Sequence, residues 1–180
     1  MRNKPLYRIS RAGLFAAIIC VCSFIAFPIG TVPITAALLC VMLAGIVLSP
    51  LEAVGATAVY IIIGAVGLPV FSGGQGGIGV LLGPTGGYIW SYPLCALITS
   101  FFARMRFENK LLLFAFPFLG CLVGVTVCYA AGTVQYMLLT DASFYTAAVA
   151  CIIPFVSVDI IKSFAATVIG ISLKKKLKRL

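Results

Sequence analysis

Histidine is absent from the 180 residues, and only four side chains are acidic, against 13 lysines and arginines. The seven cysteines form no CxxC pair. Without histidine or paired thiols the chain lacks the donor set of a zinc site. Without paired carboxylates it also lacks the acid–base constellation of a membrane enzyme. Charge of either sign amounts to 9% of the chain, where a soluble domain carries about 25% to keep its surface wet. Too little charge is present to coat a globule, which excludes a soluble domain, whereas lipid needs no charged coat. Cys20, Cys22, Cys40, Cys95, Cys121, Cys128 and Cys151 all fall in apolar stretches and read as small residues packing between helices. A cleavable leader is not expected, since the first apolar run is followed by others and reads as a retained first helix.

What the chain does have is hydrophobic surface, 62% of residues with a mean hydropathy of +1.18. A helix needs about 20 apolar residues to cross the hydrocarbon core. Six stretches qualify or come close: 12–27, 34–48, 53–67, 88–102, 111–139 and the last part of 144–173. In that final stretch Pro154 separates a short helical lead-in from a span beginning at Phe155. The expected fold is all-α, a polytopic membrane protein built as one transmembrane domain over residues 1–180. It would be a bundle of six helices with a glycine-rich outer loop.

The net charge of +9 is clustered. Arg2, Lys4, Arg8 and Arg11 precede or open the first span, Arg104, Arg106 and Lys110 fill one short gap, and Lys174, Lys175, Lys176, Lys178 and Arg179 close the chain. Such clusters beside apolar spans mark cytoplasmic loops facing anionic headgroups, not a nucleic-acid surface. An even number of spans places every cluster on one side, so a multi-pass protein of the cytoplasmic membrane with both termini inside is expected. The outer connections, 28–33, 68–87 and 140–143, then carry only Asp141. No internal repeat is visible, which weighs against an inverted-repeat secondary transporter.

Three groups can carry chemistry. The first is GLPVFSGGQGGIGVLLGPTGGY, from Gly67 to Tyr88. A solvated linker would be rich in Ser, Lys or Glu, but this one is uncharged and apolar. Irregular backbone at membrane depth is tolerated where it is buried or lines a cavity, and glycines let backbone groups approach a ligand. The loop is therefore either a packed lid or one wall of a ligand pocket. GPTGG lacks the Lys-Ser/Thr of a P-loop, so any ATP that drives this protein is hydrolysed elsewhere. The second group is Asp159 and Lys162, three residues apart on one helical face within a span. Intramembrane charges usually mark a pathway or ligand site, a self-neutralising structural pair being the alternative. The third is Tyr129, Gly132 and Tyr136, also on one helical face. Tyr129 lies deeper and suits a pocket, whereas Tyr136 suits interfacial anchoring equally well. Trp90 and Tyr92 read as belt or packing residues. On the first helix Ala12 and Ala16 form a small-xxx-small pair, which permits packing within the bundle or docking onto a partner.

Taken together these residues resemble the BioY family, the biotin-specific substrate-binding (S) components of energy-coupling-factor transporters. The resemblance rests on GLPVFSGGQGGIGVLLGPTGGY, the YAAG of the fifth span and PFVSVDIIK in the last, and it extends over nearly the whole chain. Where the family tends to have glycine soon after GGY this chain has Ser91, and where it tends to have Pro-Gly before the aspartate this chain has Ser157-Val158. The resemblance implies non-catalytic capture of biotin from the outer side, with no cofactor or metal. It also implies a transmembrane coupling subunit and two ATP-hydrolysing subunits as partners, and that Ala12 and Ala16 face the coupling subunit. The substrate-binding set it suggests is Phe71, Gly73, Gly74, Gln75, Gly76, Gly77, Gly83, Thr85, Tyr88, Tyr129, Asp159 and Lys162. Biotin offers a ureido group with two N–H donors and a carbonyl, an apolar bicycle and chain, and a carboxylate. Lys162 suits either polar end, and Asp159 suits the ureido group. The competing function is a self-sufficient secondary transporter for biotin or a related vitamin.

Overall fold

A computed structural model of the chain describes residues 4–29, 32–105 and 107–177. Arg2, Arg106, Lys178 and Arg179 of the basic clusters lie outside these residues. Each of the six expected spans has its helix, and the shifts at their ends are informative. Helix α1 (Lys4–Ser23) starts at Lys4, not at residue 12, and stops before residue 27. Hydropathy alone discounts the first turns because of Lys4, Arg8 and Arg11. Long cationic side chains nevertheless continue a helix, with their charged heads reaching toward water.

The connection after α1 adds a short hairpin to the expected all-α fold. Residues Ala26–Ile29 (β1) and Val32–Thr35 (β2) pair antiparallel as a hairpin, with Pro28 opposite Pro33. Both strands are edges of a two-stranded sheet, so a missing proline N–H can face outward without breaking the ladder. Pro28 and Pro33 are thus compatible with the hairpin.

Helix α2 (Ala37–Val47) is apolar all round, and nine of its 11 residues are buried. A helix of that pattern belongs in the middle of a bundle, and α1, α5 and α8 pack around it. Helix α3 (Pro50–Ala65) begins with proline and a reciprocal capping box between Ser49 and Glu52. The glycine-rich stretch contains a 3₁₀ turn at Ser72–Gly74 and one short helix, α4 (Ile78–Leu81). Helix α5 (Gly86–Phe102) and the 31-residue α6 (Lys110–Thr140) form the most extensive helix pair. Small residues allow these close approaches, as expected in lipid. A Cβ on Gly45 would stand 2.7 Å from Thr99 Cβ, and one on Gly124 would stand 2.7 Å from Cys95 Sγ. Helix α7 (Phe144–Cys151) is the expected lead-in, and α8 (Ile153–Leu177) carries Pro154 in its first turn, where no intrahelical N–H is lost. Ser157 and Val158 continue α8 without interruption.

Among the described residues, α1, α6 and α8 are long and apolar enough to cross a bilayer unaided. At about 1.5 Å per residue, α2, α3 and α5 fall short of a core about 30 Å thick. Large apolar side chains such as Ile9, Val21, Ile161 and Phe164 are exposed on the outside of the bundle, and the chain is an α-helical membrane protein. The cysteines pack as expected, with Cys40, Cys95, Cys121, Cys128 and Cys151 buried and free.

One end of the bundle gathers the basic residues. Glu52 sits between Arg8 and Arg11 at 3.7 and 3.8 Å. Arg11 and Arg104 donate to the carbonyls of Val47 and Leu48, and Lys174 donates to that of Ala103. Of the two readings of the α1 small-residue pair, packing within the bundle is seen: Ala16 is buried in the core and the partly buried Ala12 packs against it.

Phe71 is fully buried, with its ring edge-on to Tyr60 at 5.5 Å and resting on Gly64. A Cβ at Gly64 would overlap that ring. Gly64→Ala should therefore lower the thermal unfolding midpoint in detergent, overpacking costing about 1–3 kcal/mol. Adding Phe71→Leu to it should recover part of the loss. A Gly64→Ala protein as stable as the parent would contradict this packing.

Candidate functional site

At the end opposite the basic cluster lies a cavity of about 520 Å³. Its walls come from nearly every part of the fold. The hairpin supplies Ala26, Pro33, Ile34 and Thr35, helix α2 supplies Leu38, and α3 supplies Tyr60. The glycine-rich segment contributes Ser72, Gly73, Gln75, Val80, Pro84 and Thr85. Tyr88, Ile89 and Tyr92 of α5, Tyr129 of α6, and Phe155, Asp159 and Lys162 of α8 complete it.

Most of this lining is apolar or aromatic, and among the described residues its only charges are Asp159 and Lys162. Asp159 is 3% exposed, and a bare carboxylate at that depth would be costly. Two donors offset the cost. Lys162 Nζ donates to Oδ1 at 2.9 Å and Tyr129 Oη donates to Oδ2 at 2.7 Å. The i, i+3 spacing sets the ion pair, and α6 packing on α8 delivers the tyrosine. Ser163 donates to the Asp159 carbonyl at 2.7 Å and holds the same turn beside Met42 of α2. Each carboxylate oxygen retains a lone-pair direction that these donors do not use.

The loop that covers the cavity is fixed by its backbone. Gln135 Nε2 of α6 donates to the carbonyls of Leu81 and Gly83 at 2.9 and 2.7 Å, and Trp90 Nε1 donates to Leu81 at 3.1 Å. Gly77 N donates to the Gly64 carbonyl at 2.7 Å. Gly73, Gly74 and Gly77 adopt φ of 69°, 73° and 94°, a region that side chains other than glycine's rarely tolerate. Tyr88 lies with its ring on Gly132, and its Oη donates to the Cys151 carbonyl at 2.7 Å, tying α5 to the end of α7.

Of the residues singled out in the sequence, Gly73, Gln75, Thr85, Tyr88, Tyr129, Asp159 and Lys162 line this cavity. Gly74, Gly76, Gly77 and Gly83 stand off it and shape the loop behind. Gly76, for example, leaves no room for a Cβ against the Leu68 carbonyl. Phe71 is also off the lining, sealed in the core under the loop. Tyr136 packs near Phe155 without reaching the cavity. Sequence reasoning missed Tyr60 and the hairpin, and read Tyr92 as a belt or packing residue. Tyr60 and Tyr92 stack at 6.1 Å, and the Tyr60 hydroxyl accepts from Ser23 at 3.0 Å. The two carbonyl partners of Gln135 lie 52 and 54 residues away, so its role carries no local signal in the sequence.

A profile of the BioY family matches residues 1–179. The chain is 34% identical over 177 residues to the biotin transporter BioY2 of Lactococcus lactis subsp. cremoris, covering 98% of this chain and 95% of that protein. It is 35% identical over 165 residues to the biotin transporter BioY of Thermotoga maritima, covering 92% of this chain and 94% of that one. Among solved structures, the S-component for biotin from an ECF-type ABC transporter superposes with a TM-score of 0.88 at 24% identity, over 97% of this chain and 94% of that chain. At that identity the likeness speaks for the fold.

The ion pair makes a direct prediction about stability. Lys162→Met strands the Asp159 carboxylate and Asp159→Asn strands the ammonium, each costing up to about 3–5 kcal/mol. The double variant should lose less than the sum of the two, as read from unfolding midpoints in detergent. Strict additivity would mean that the two groups do not interact.

Proposed function

The chain belongs to the BioY family, and on that premise we propose that it captures biotin at the outer face of the cytoplasmic membrane as the substrate-binding subunit of an energy-coupling-factor transporter. It is non-catalytic. A transmembrane coupling subunit and two ATP-hydrolysing subunits supply the energy. Helices α1, α2, α3, α5, α6 and α8 form the six crossings. The arginines and lysines clustered at one end face the cytoplasm, as the positive-inside rule requires, and both termini lie on that side.

One observation carries the reading: an otherwise uncharged, aromatic-rich cavity contains a single carboxylate–ammonium pair. A volume of about 520 Å³ falls within the roughly 300–1,000 Å³ of small-molecule sites, and apolar walls with few polar anchors suit biotin's bicycle and chain. The pair also favours one end of the ligand. Its net charge is zero, so a ligand carboxylate brought to Lys162 would also meet the negative Asp159. A ureido group is neutral and presents N–H donors beside a carbonyl acceptor. Asp159 accepts from the former and Lys162 donates to the latter, so the ureido end lies at the pair and the carboxylate points away. Tyr129 keeps the Asp159 carboxylate oriented, and Tyr88, Tyr92 and Phe155 cover the bicycle.

Calorimetric titration of the purified full chain tests this. Biotin should bind, and biotinamide, which lacks only the carboxylate charge, should bind within about tenfold of it. The analogue 2-iminobiotin, whose ureido carbonyl is replaced, should bind roughly 10- to 100-fold more weakly, the loss of a hydrogen bond to a charged group. The reverse order would place the carboxylate at Lys162. No binding of biotin at all would defeat the proposed function.

A further inference from the structure

A second cavity, of about 550 Å³, lies at the basic end between the C-terminus of α5, the start of α6 and the end of α8. Four cations line it: Arg104, Lys110, Lys174 and Lys175. No carboxylate does so among the described residues, and the buried acid at this end, Glu52, is engaged by Arg8 and Arg11. We infer that this cavity binds an anionic phospholipid, its phosphate among the four cations and an acyl chain along the apolar wall below them.

The lining is graded, and that grading selects a lipid over a soluble anion. Along α6 the cavity residues run from Lys110 through Leu113 and Phe114 to Pro117, one face of the helix descending from charge into hydrocarbon. Along α8 the same descent runs in reverse chain direction, from Lys175 and Lys174 to Ile171. Ile46 of α2 closes the inner side. The charges are at the level of the headgroups and the apolar residues lie a turn or two deeper, which is the polarity of a phospholipid. Inorganic phosphate would use the rim and leave Phe114, Pro117 and Ile171 uncovered.

Electrostatics point the same way. Burial holds the Arg104 guanidinium below its ordinary range, with Glu52 opposing that shift and Arg11 adding to it, so a further anion beside it would favour its charged form. The start of α6 adds the positive end of its helix dipole. Basic pockets between transmembrane helices on the cytoplasmic side are suited to anionic headgroups.

The test is native mass spectrometry of the full chain released from detergent containing equal amounts of dioleoyl-phosphatidylglycerol and dioleoyl-phosphatidylcholine. The glycerol lipid should be retained preferentially. Lys110→Gln and Lys175→Gln, both at exposed positions, should each lower that retention roughly fivefold. Lys176→Gln removes a charge from the same end but off the cavity, and should leave retention unchanged. Equal retention of the two lipids by the parent protein would overturn the proposal, as would equal losses in all three variants. So would full displacement by millimolar inorganic phosphate, the mark of a free-anion site. A photo-crosslinker installed at position 114 in membranes should capture lipid, and capture of a protein partner there would assign the groove to that partner.

Discussion

A carboxylate buried in an apolar helical bundle must be answered by donors close at hand, and the half of this protein opposite the basic end is arranged around that requirement. Asp159 is neutralised by Lys162 one turn along α8 and hydrogen-bonded by Tyr129 from α6. Neither partner alone suffices in a medium where an unpaired charge costs several kcal/mol. Together they fix the separation of α6 and α8, while Ser163 and Met42 bring the same turn against α2. The carboxylate oxygens remain partly unsaturated, so the arrangement that keeps the bundle stable also leaves the cavity a charged address. On the proposed function, structure and recognition would depend on the same three side chains.

The cover over the cavity follows a different logic. It is held by backbone carbonyls meeting Gln135 and Trp90, and by glycines whose conformations other residues rarely adopt. Side chains that look like ligand contacts from the sequence, Phe71 above all, are the anchors that hold this cover down. The hairpin closes the facing side with Pro33, Ile34 and Thr35. Under the proposed function, a ligand enclosed between these two backbone-rich elements would be recognised mainly by shape, with the ion pair choosing its polar end.

Much of this was legible in the sequence, for identifiable reasons. Hydropathy located the helices because lipid imposes one strong constraint, and the lone Asp159–Lys162 pair stood out because charge within a span is rare. Pro154 marked the junction of α7 and α8. What was not legible came from long-range partners. Tyr60 and Tyr92 belong to opposite elements, and only the packing of α3 on α5 stacks them. The hairpin was hidden because its prolines argue against a strand unless both strands are edges. Ala12 and Ala16 left packing within the bundle and docking onto a partner both open, since a small-residue pair cannot say which helix it meets.

The two ends of the molecule use charge in opposite ways. At the basic end, cations cluster over apolar walls. In the outer cavity a matched pair is sealed among tyrosines, and the account rests on that pair addressing a neutral group. Infrared difference spectra of bound biotin, labelled with carbon-13 either at the ureido carbonyl or at the carboxylate, test it most directly. At saturating ligand, replacing Lys162 by Met should shift the ureido band and leave the carboxylate band in place. A shift of the carboxylate band with the ureido band unmoved would contradict it.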